Sequence, residues 1–327
     1  MPHELARRNL LLALSATLIA PRVLAQAPRT PLKTLRLNNV MIGVSDLDRS
    51  IGFYQKLFGP PVRQGEAALF RLGTGPHFFA LVPAQGGAKA DYLSYGMTVD
   101  NFDAERVRQT LAAFGVNGAQ LSTRDGTLEL FMRDPDGIRI QLQHAAYGHG
   151  SGPRGDQLPP APRPLIAPPF SLRTISHVTL TTTNAMRSGD FYKSVFAMPV
   201  QTTQGGGPIL AVGAGPDCVV IGGGGNPGNP PRPGINHACF TIDNFEPNKV
   251  MALLIANGLT PIEYGNPALI KPLTCRVRLR QRANNGGGPT SPYGTPELYF
   301  NDPDNIPIQI QDVKYCGGSG ALGEICP

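Results

Sequence analysis

Ile175-Ser176-His177-Val178-Thr179-Leu180 and Asp302-Pro303-Asp304-Asn305-Ile306 open and nearly close the second half of this chain, and both have echoes in the first half. Leu37-Asn38-Asn39-Val40 answers the first phrase and Asp134-Pro135-Asp136-Gly137-Ile138 the second. Setting Asn39 against His177 also sets Arg49 against Arg187, Ser50 against Ser188 and Tyr54 against Tyr192. Gly73-Thr74-Gly75-Pro76 then meets Gly213-Ala214-Gly215-Pro216, and Val99-Asp100-Asn101-Phe102 meets Ile242-Asp243-Asn244-Phe245. Matches that keep their order with little drift mark an internal duplication. The copies differ where chemistry could sit, because His177 and His237 stand where the first copy has Asn39 and Ser94.

A chain of 327 residues suits two domains of ordinary size. Hydrophobic content of 41% is enough for packed cores, while 39 Gly and 33 Pro imply many turns and irregular loops. A net charge of +6 without Trp argues against a nucleic-acid platform and leaves an anionic small molecule open as a partner. The one concentrated basic feature is Arg276, Arg278 and Arg280, alternating with Val277 and Leu279. That spacing makes one face of a strand basic, either a solvated face or an anion-binding wall.

Residues 1–27 read as an export signal. Arg7-Arg8 precede an apolar stretch from Leu10 to Ala20, and Val23-Leu24-Ala25 suits cleavage near Ala25. The arginine pair favours the twin-arginine route over the general secretory one. No later stretch is long enough to span a bilayer. The expected product is periplasmic or secreted, with no stable membrane anchor after signal removal. Five cysteines in such a chain permit disulfides. Cys316 and Cys326 bracket a Gly-rich tail and can pair. Cys218 and Cys239 lie in apolar runs and are expected as buried thiols; Cys275 is left open.

The coarse pattern is the same in both copies. Leu37–Val44 and Ile175–Thr183 are β-branched runs and read as strands. Asp48–Phe58 and Ala185–Phe196 have helical spacing, with Asp46 and Asn184 ahead as N-caps. Two strands joined by a Gly-Pro turn follow, then a second strand–helix passage, then two strands around Asp-Pro-Asp. The expected organisation is a module at 35–147, a Pro/Gly-rich linker at 148–171, a second module at 172–314 and a tail at 315–327. Gly205-Gly206-Gly207, Gly222–Gly225 and the inserted loop Asn284–Pro289 read as turns, not phosphate cradles. His77, His144 and His149 have no partner spacing and read as incidental.

This order of elements, with Ile175–Leu180, Ile235-Asn236-His237-Ala238 and the Asp-Pro-Asp turns, resembles the vicinal oxygen chelate superfamily of glyoxalases, bleomycin-resistance proteins and extradiol dioxygenases. The resemblance implies an α+β fold of two tandem modules, each two βαβββ units forming a curved, cleft-enclosing mixed sheet with helices outside. It also implies a divalent metal, Fe(II), Mn, Zn or Ni, held in the second module by His177, His237 and Gln309. The matching first-module residues, Asn39, Ser94 and Gln141, make a poor metal site. Gln309 departs from the carboxylate usual at the third position and removes one negative charge. Glu297 on the preceding strand is a conceivable substitute, and Tyr299 has the spacing of a tyrosine that polarises a neighbouring ligand. The resemblance therefore implies a dioxygenase- or glyoxalase-like enzyme acting on a small oxygenated molecule, aromatic ones included. Its alternative is a metal-free protein that binds or sequesters a small molecule. Paired modules within one chain make a monomer plausible.

Overall fold

The computed structural model describes residues 29–223, 232–280 and 294–326. The expected export signal and the loop Asn284–Pro289 lie outside the described residues. Module 1 runs β1 (Thr34–Val44), α1 (Leu47–Phe58), β2 (Val62–Gln64), β3 (Ala67–Arg71) and β4 (Phe78–Pro83), then β5 (Asp91–Val99), α2 (Ala104–Ala113), β6 (Gln120–Arg124), β7 (Thr127–Arg133) and β8 (Arg139–Gln143). Module 2 runs β9 (Leu172–Thr182), α3 (Ala185–Phe196), β10 (Val200–Gln204), β11 (Gly207–Ala211) and β12 (Cys218–Gly223). It continues with β13 (Gly234–Ile242), α4 (Pro247–Ala256), the short edge strand β14 (Thr260–Pro261), β15 (Thr274–Arg280), β16 (Thr295–Asn301) and β17 (Pro307–Asp312). Each module is one mixed sheet, ordered β2-β3-β4-β1-β5-β8-β7-β6 and β10-β11-β12-β9-β13-β17-β16-β15-β14. The α+β architecture of two tandem modules, each two βαβββ units, is therefore the fold of this chain.

Local chemistry starts the helices where the sequence suggests. Asp46 accepts from the Arg49 amide at 3.0 Å, Asn184 from the Arg187 amide at 3.0 Å, and Asp103 from the Arg106 amide at 2.7 Å. Helix α4 has no such cap and opens on Pro247, whose missing N–H needs no partner there. Along the strands, alternation sorts side chains to two faces. Leu298 and Phe300 of β16, with Ile308 and Ile310 of β17, enter a core that also takes Leu37, Phe79 and Tyr54 of module 1. Phe79 and Phe240 meet across it with ring centroids 5.3 Å apart. Glu297, Tyr299, Gln309 and Gln311 fall on the opposite face.

The phrases that betray the duplication are partners, but across the modules. Tyr54 Oη donates to Asp302 Oδ2 at 3.0 Å, and Tyr192 Oη donates to Asp134 Oδ2 at 2.9 Å. Arg187 pairs with Asp136 at 2.8 Å, and Arg49 pairs with Asp304. The amide of Thr183 donates to Asp136 at 2.9 Å and that of Ser45 to Asp304 at 3.0 Å. Each Asp-Pro-Asp turn is thus held by the start of the other module's first helix. Burial pushes the Asp302 carboxyl up to about 6 and raises that of Asp134. Burial also opposes ionisation of Asp136, but hydrogen bonds from Ser188, Thr183 and Arg187 outweigh it and lower its pKa.

Two segments fold back alike on their modules. Gly148 N donates to Gly155 O at 2.9 Å and Ser151 N to Gln157 O at 3.0 Å; Cys316 N donates to Gly323 O at 3.0 Å and Ser319 N to Ile325 O at 2.9 Å. Cys316 and Cys326 form a disulfide. Cys218, Cys239 and Cys275 are buried and stay outside the disulfide. No helix among the described residues is long and apolar enough to cross a membrane.

Candidate metal centre on the second sheet

Strand register places the candidate site in one row. Across β12, β9, β13, β17, β16 and β15 the directly paired residues are Cys218, His177, Cys239, Gln309, Tyr299 and Arg276. Paired residues project to the same face of a sheet. His237, two residues before Cys239 on β13, shares that face. All three expected ligands therefore converge although they lie far apart in sequence.

The convergence is close. Gln309 Oε1 lies 3.2 Å from His177 Nε2 and 2.8 Å from His237 Nε2. The imidazoles meet edge-on with centroids 5.5 Å apart. His177, His237 and Gln309 are all buried, at 2%, 7% and 1% exposure, so their geometry is set by packing. Asn236 Oδ1 lies 2.7 Å from His237 Nδ1, and Ser176 Oγ lies 3.2 Å from His177 Nδ1. In the tautomer that donates Nδ1–H to Asn236, His237 Nε2 presents a lone pair to Gln309 Oε1. Two acceptors facing each other are relieved by a cation between them. Ligand atoms at about 2.1 Å from one ion and at right angles to each other are about 3 Å apart. Burial pushes the His237 imidazole down to about 4, with Glu297 opposing that shift, so it is neutral and ligand-competent at neutral pH. The Gln309 Nε2 amide is buried without a hydrogen-bond partner. This donor set fits a divalent ion held by two imidazoles and one amide oxygen. No three His, Cys, Asp or Glu side chains converge among the described residues, so Gln309 is indispensable to any such centre.

Glu297 does not substitute for the absent carboxylate. Arg280 engages it through Nε at 2.5 Å and Nη2 at 2.9 Å, and the hydroxyls of Tyr299 and Tyr315 donate to it at 3.0 and 3.1 Å. Tyr299 itself lies directly opposite Gln309, with its ring 5.3 Å from that of His237. Burial, and then the Glu297 charge, raises the Tyr299 phenol well above its usual value, so it is protonated. The Arg–Glu–Tyr group was not singled out in the sequence reading, yet the duplication signals it. Arg124, Glu129 and Tyr147 repeat it in module 1, with Arg124 Nε donating to Glu129 at 3.0 Å and Tyr147 Oη donating to the same carboxylate.

Module 1 keeps the row but fills it. Its residues are Phe78, Asn39, Gly96, Gln141, Phe131 and Gln120. Asn39 Nδ2 donates to Gln141 Oε1 at 3.2 Å, and Gln141 Nε2 donates to Tyr147 Oη at 3.0 Å, so this glutamine is satisfied at both ends. Phe78 packs with Leu69, Ala80 and Tyr147 in a second apolar cluster, and Arg139 lies over Phe131 at 3.7 Å. His149, read as incidental from sequence, is buried against Phe78, with its Nδ1 3.0 Å from Tyr147 Oη. In module 2 the same face opens as a cleft of about 780 Å³, lined by His237, Tyr299, Tyr264, Arg276, Arg278 and Arg280 among others.

Comparison with known proteins agrees with this geometry. Residues 36–142 match the Glyoxalase/Bleomycin resistance protein/Dioxygenase superfamily. The first module is thus similar to that superfamily, also called vicinal oxygen chelate, and the second module repeats the fold of the first. An extradiol ring-cleaving dioxygenase from B. fuscum is similar over 91% of this chain and 75% of its own, at 17% identity and a TM-score of 0.56. A catechol 2,3-dioxygenase is similar over 85% of this chain and 88% of its own, at 14% identity and a TM-score of 0.56. The Mn(II)-bound glyoxalase of Novosphingobium aromaticivorans covers 85% of this chain and 82% of its own, at 16% identity and a TM-score of 0.57. No curated protein matches the sequence. At these identities the likeness shows the two-module fold alone, and the site must speak for the activity.

Proposed function

We propose that this protein is an exported, metal-dependent enzyme of the dioxygenase or glyoxalase kind, with its active centre in module 2. The observation that carries the reading is the approach of Gln309 Oε1 to both His177 Nε2 and His237 Nε2, at 3.2 and 2.8 Å. These three residues would hold a divalent ion such as Fe(II), Mn, Zn or Ni. Such an ion supplies Lewis acidity toward two neighbouring oxygens of a small substrate. The chain's own residues do the rest. Asn236 and Ser176 fix the imidazole orientations through the Nδ1 atoms. Tyr299 presents a protonated hydroxyl, oriented by Glu297, beside His237. Module 1 braces the centre, because Tyr92 Oη accepts from Ala238 N at 3.0 Å and donates to Pro307 O at 2.7 Å. The disulfide agrees with an oxidising compartment outside the cytoplasm.

One observation favours a second reading, a metal-free small-molecule binding protein. Gln309 is neutral, and the guanidinium groups of Arg276 and Arg278 line the same cleft, so the field there works against a retained cation. Elemental analysis of the native protein separates the two. The enzyme reading expects near one metal per chain, lost in the His177→Asn, His237→Ser double variant, and at least tenfold tighter metal binding in Gln309→Glu. Trace metal in the wild type, with ligand binding untouched in the double variant, would leave the binding-protein reading standing alone.

A further inference from the structure

Because the two modules share register residue for residue, module 1 serves as an internal control for what module 2 has acquired. Arg280, Glu297, Tyr315 and Gln309 have counterparts in Arg124, Glu129, Tyr147 and Gln141, so they belong to the common scaffold. What distinguishes the far end of the row is different. Opposite Tyr299 stands Arg276 and opposite Glu297 stands Arg278. At the same pairings module 1 has Gln120 opposite Phe131 and Ser122 opposite Glu129. Two neutral residues are therefore replaced by two guanidinium groups on the cleft face.

Those guanidinium groups are built into the wall. Arg276 is buried, at 8% exposure, donates from Nη1 to Asn301 Oδ1 at 2.7 Å, and lies over the Tyr299 ring at 5.3 Å. Arg278 lies over the Tyr264 ring at 5.2 Å. Tyr264 comes from a segment between β14 and β15, which carries a 3₁₀ turn at Pro267–Leu269 and for which module 1 has no counterpart between α2 and β6. Among the described residues neither arginine makes an ion pair, whereas Arg280 is taken by Glu297. The acidic residue lining the cleft is Glu263, exposed at its rim. A buried guanidinium without a counterion is costly to fold, and that cost falls when a ligand brings the anion.

We propose that Arg276 and Arg278 are the recognition site for an organic carboxylate, whose remaining body lies along the row toward His237. The planar guanidinium forks match a carboxylate's two oxygens, and the hydrogen bond to Asn301 and the Tyr264 and Tyr299 rings hold them in place. One tyrosine ring separates this anion site from the histidines, since Tyr299 lies 5.3 Å both from the His237 ring and from the Arg276 guanidinium. A single small ring therefore spans both ends. The proposal rests on the reading of module 2 as the active half for the meaning of the histidine end, and the anion end is tested without metal.

The test is calorimetric titration of the metal-stripped full chain with benzoate and with its neutral analogue benzamide. Benzoate is expected to bind at least tenfold more tightly, with a preference that shrinks as salt rises. Arg276→Gln and Arg278→Ser, which install the residues found in module 1, should each reduce that preference, and together abolish it without moving benzamide binding. Arg276→Lys keeps the charge but loses the fork and should fall between. Equal affinity for the two probes, or a preference that survives in the double variant, would overturn the proposal. Benzoate preference in a protein that holds no metal would keep the carboxylate site and remove the metal reading. Stoichiometric metal without benzoate preference would do the reverse.

Discussion

The two modules of this chain carry the same sheet, the same helix caps and the same buried Arg–Glu–Tyr group, yet one is filled and the other is hollow. Module 1 closes its concave face with Phe78, His149 and the Arg139–Phe131 stack. Module 2 has Cys218 where Phe78 stands and opens a cleft lined by His237, Tyr299 and Arg276. Retained scaffold and divergent lining show that the duplicated sheet kept its frame while the residues on one face changed. The support is physical, because each Asp-Pro-Asp turn is clasped by the opposite module.

A reciprocal exchange should break that comparison most sharply. Cys218→Phe in module 2 is expected to fill the space beside His177 and abolish metal binding while leaving benzoate bound at Arg276 and Arg278. Phe78→Cys in module 1 should leave benzoate and metal binding unchanged while costing about 3 kcal/mol of stability through the cavity it opens, as read from denaturant midpoints. Binding lost through Phe78→Cys would show that module 1 is more than support.

The closing segments offer a finer contrast, because module 2 joins Cys316 to Cys326 where module 1 sets Gly148 against Leu158. Replacing both cysteines with serine should cost about 2 to 3 kcal/mol, the scale expected for releasing a loop of this length. A cost near zero would mean that the hydrogen bonds shared with residues 148–157 hold the segment unaided.

The mildest effect concerns the inter-module clasp. The folded Asp302 carboxyl keeps its proton up to about pH 6 because it is buried, whereas the unfolded group loses it near the ordinary carboxylate value. The folded state then carries more protons between about pH 4 and pH 6, so stability declines as pH rises through that window. Asp302→Asn should flatten this decline by an amount on the order of 2 kcal/mol, measured by urea unfolding across the window. An unchanged slope would remove Asp302 as its source.

Much of this was legible in the sequence. Asp46 and Asn184 announced their helices, and alternation in Ile308-Gln309-Ile310-Gln311 announced which face each strand residue takes. The pairing of His177 with His237 was also available, through their matches to Asn39 and Ser94. The similarity of Tyr147-Gly148-His149-Gly150-Ser151-Gly152 to Tyr315-Cys316-Gly317-Gly318-Ser319-Gly320 was equally available but is obscured by Gly-rich composition, which reads as linker or tail. Glu297 could not be assigned, since sequence spacing does not say that Arg280 reaches it first.

By itself, the sequence determined the duplication, the strand–helix order and the candidate ligands, because caps, alternation and repeats are local signals. Tertiary structure alone decided that Gln309 reaches both histidines, that Glu297 is spent on Arg280, and that Arg276 and Arg278 face the cleft with no ion pair among the described residues. It also decided that the repeated turns bind across modules instead of within them. Those outcomes depend on strand register and on which side chain arrives first at a buried charge, and both are set only when the sheets close.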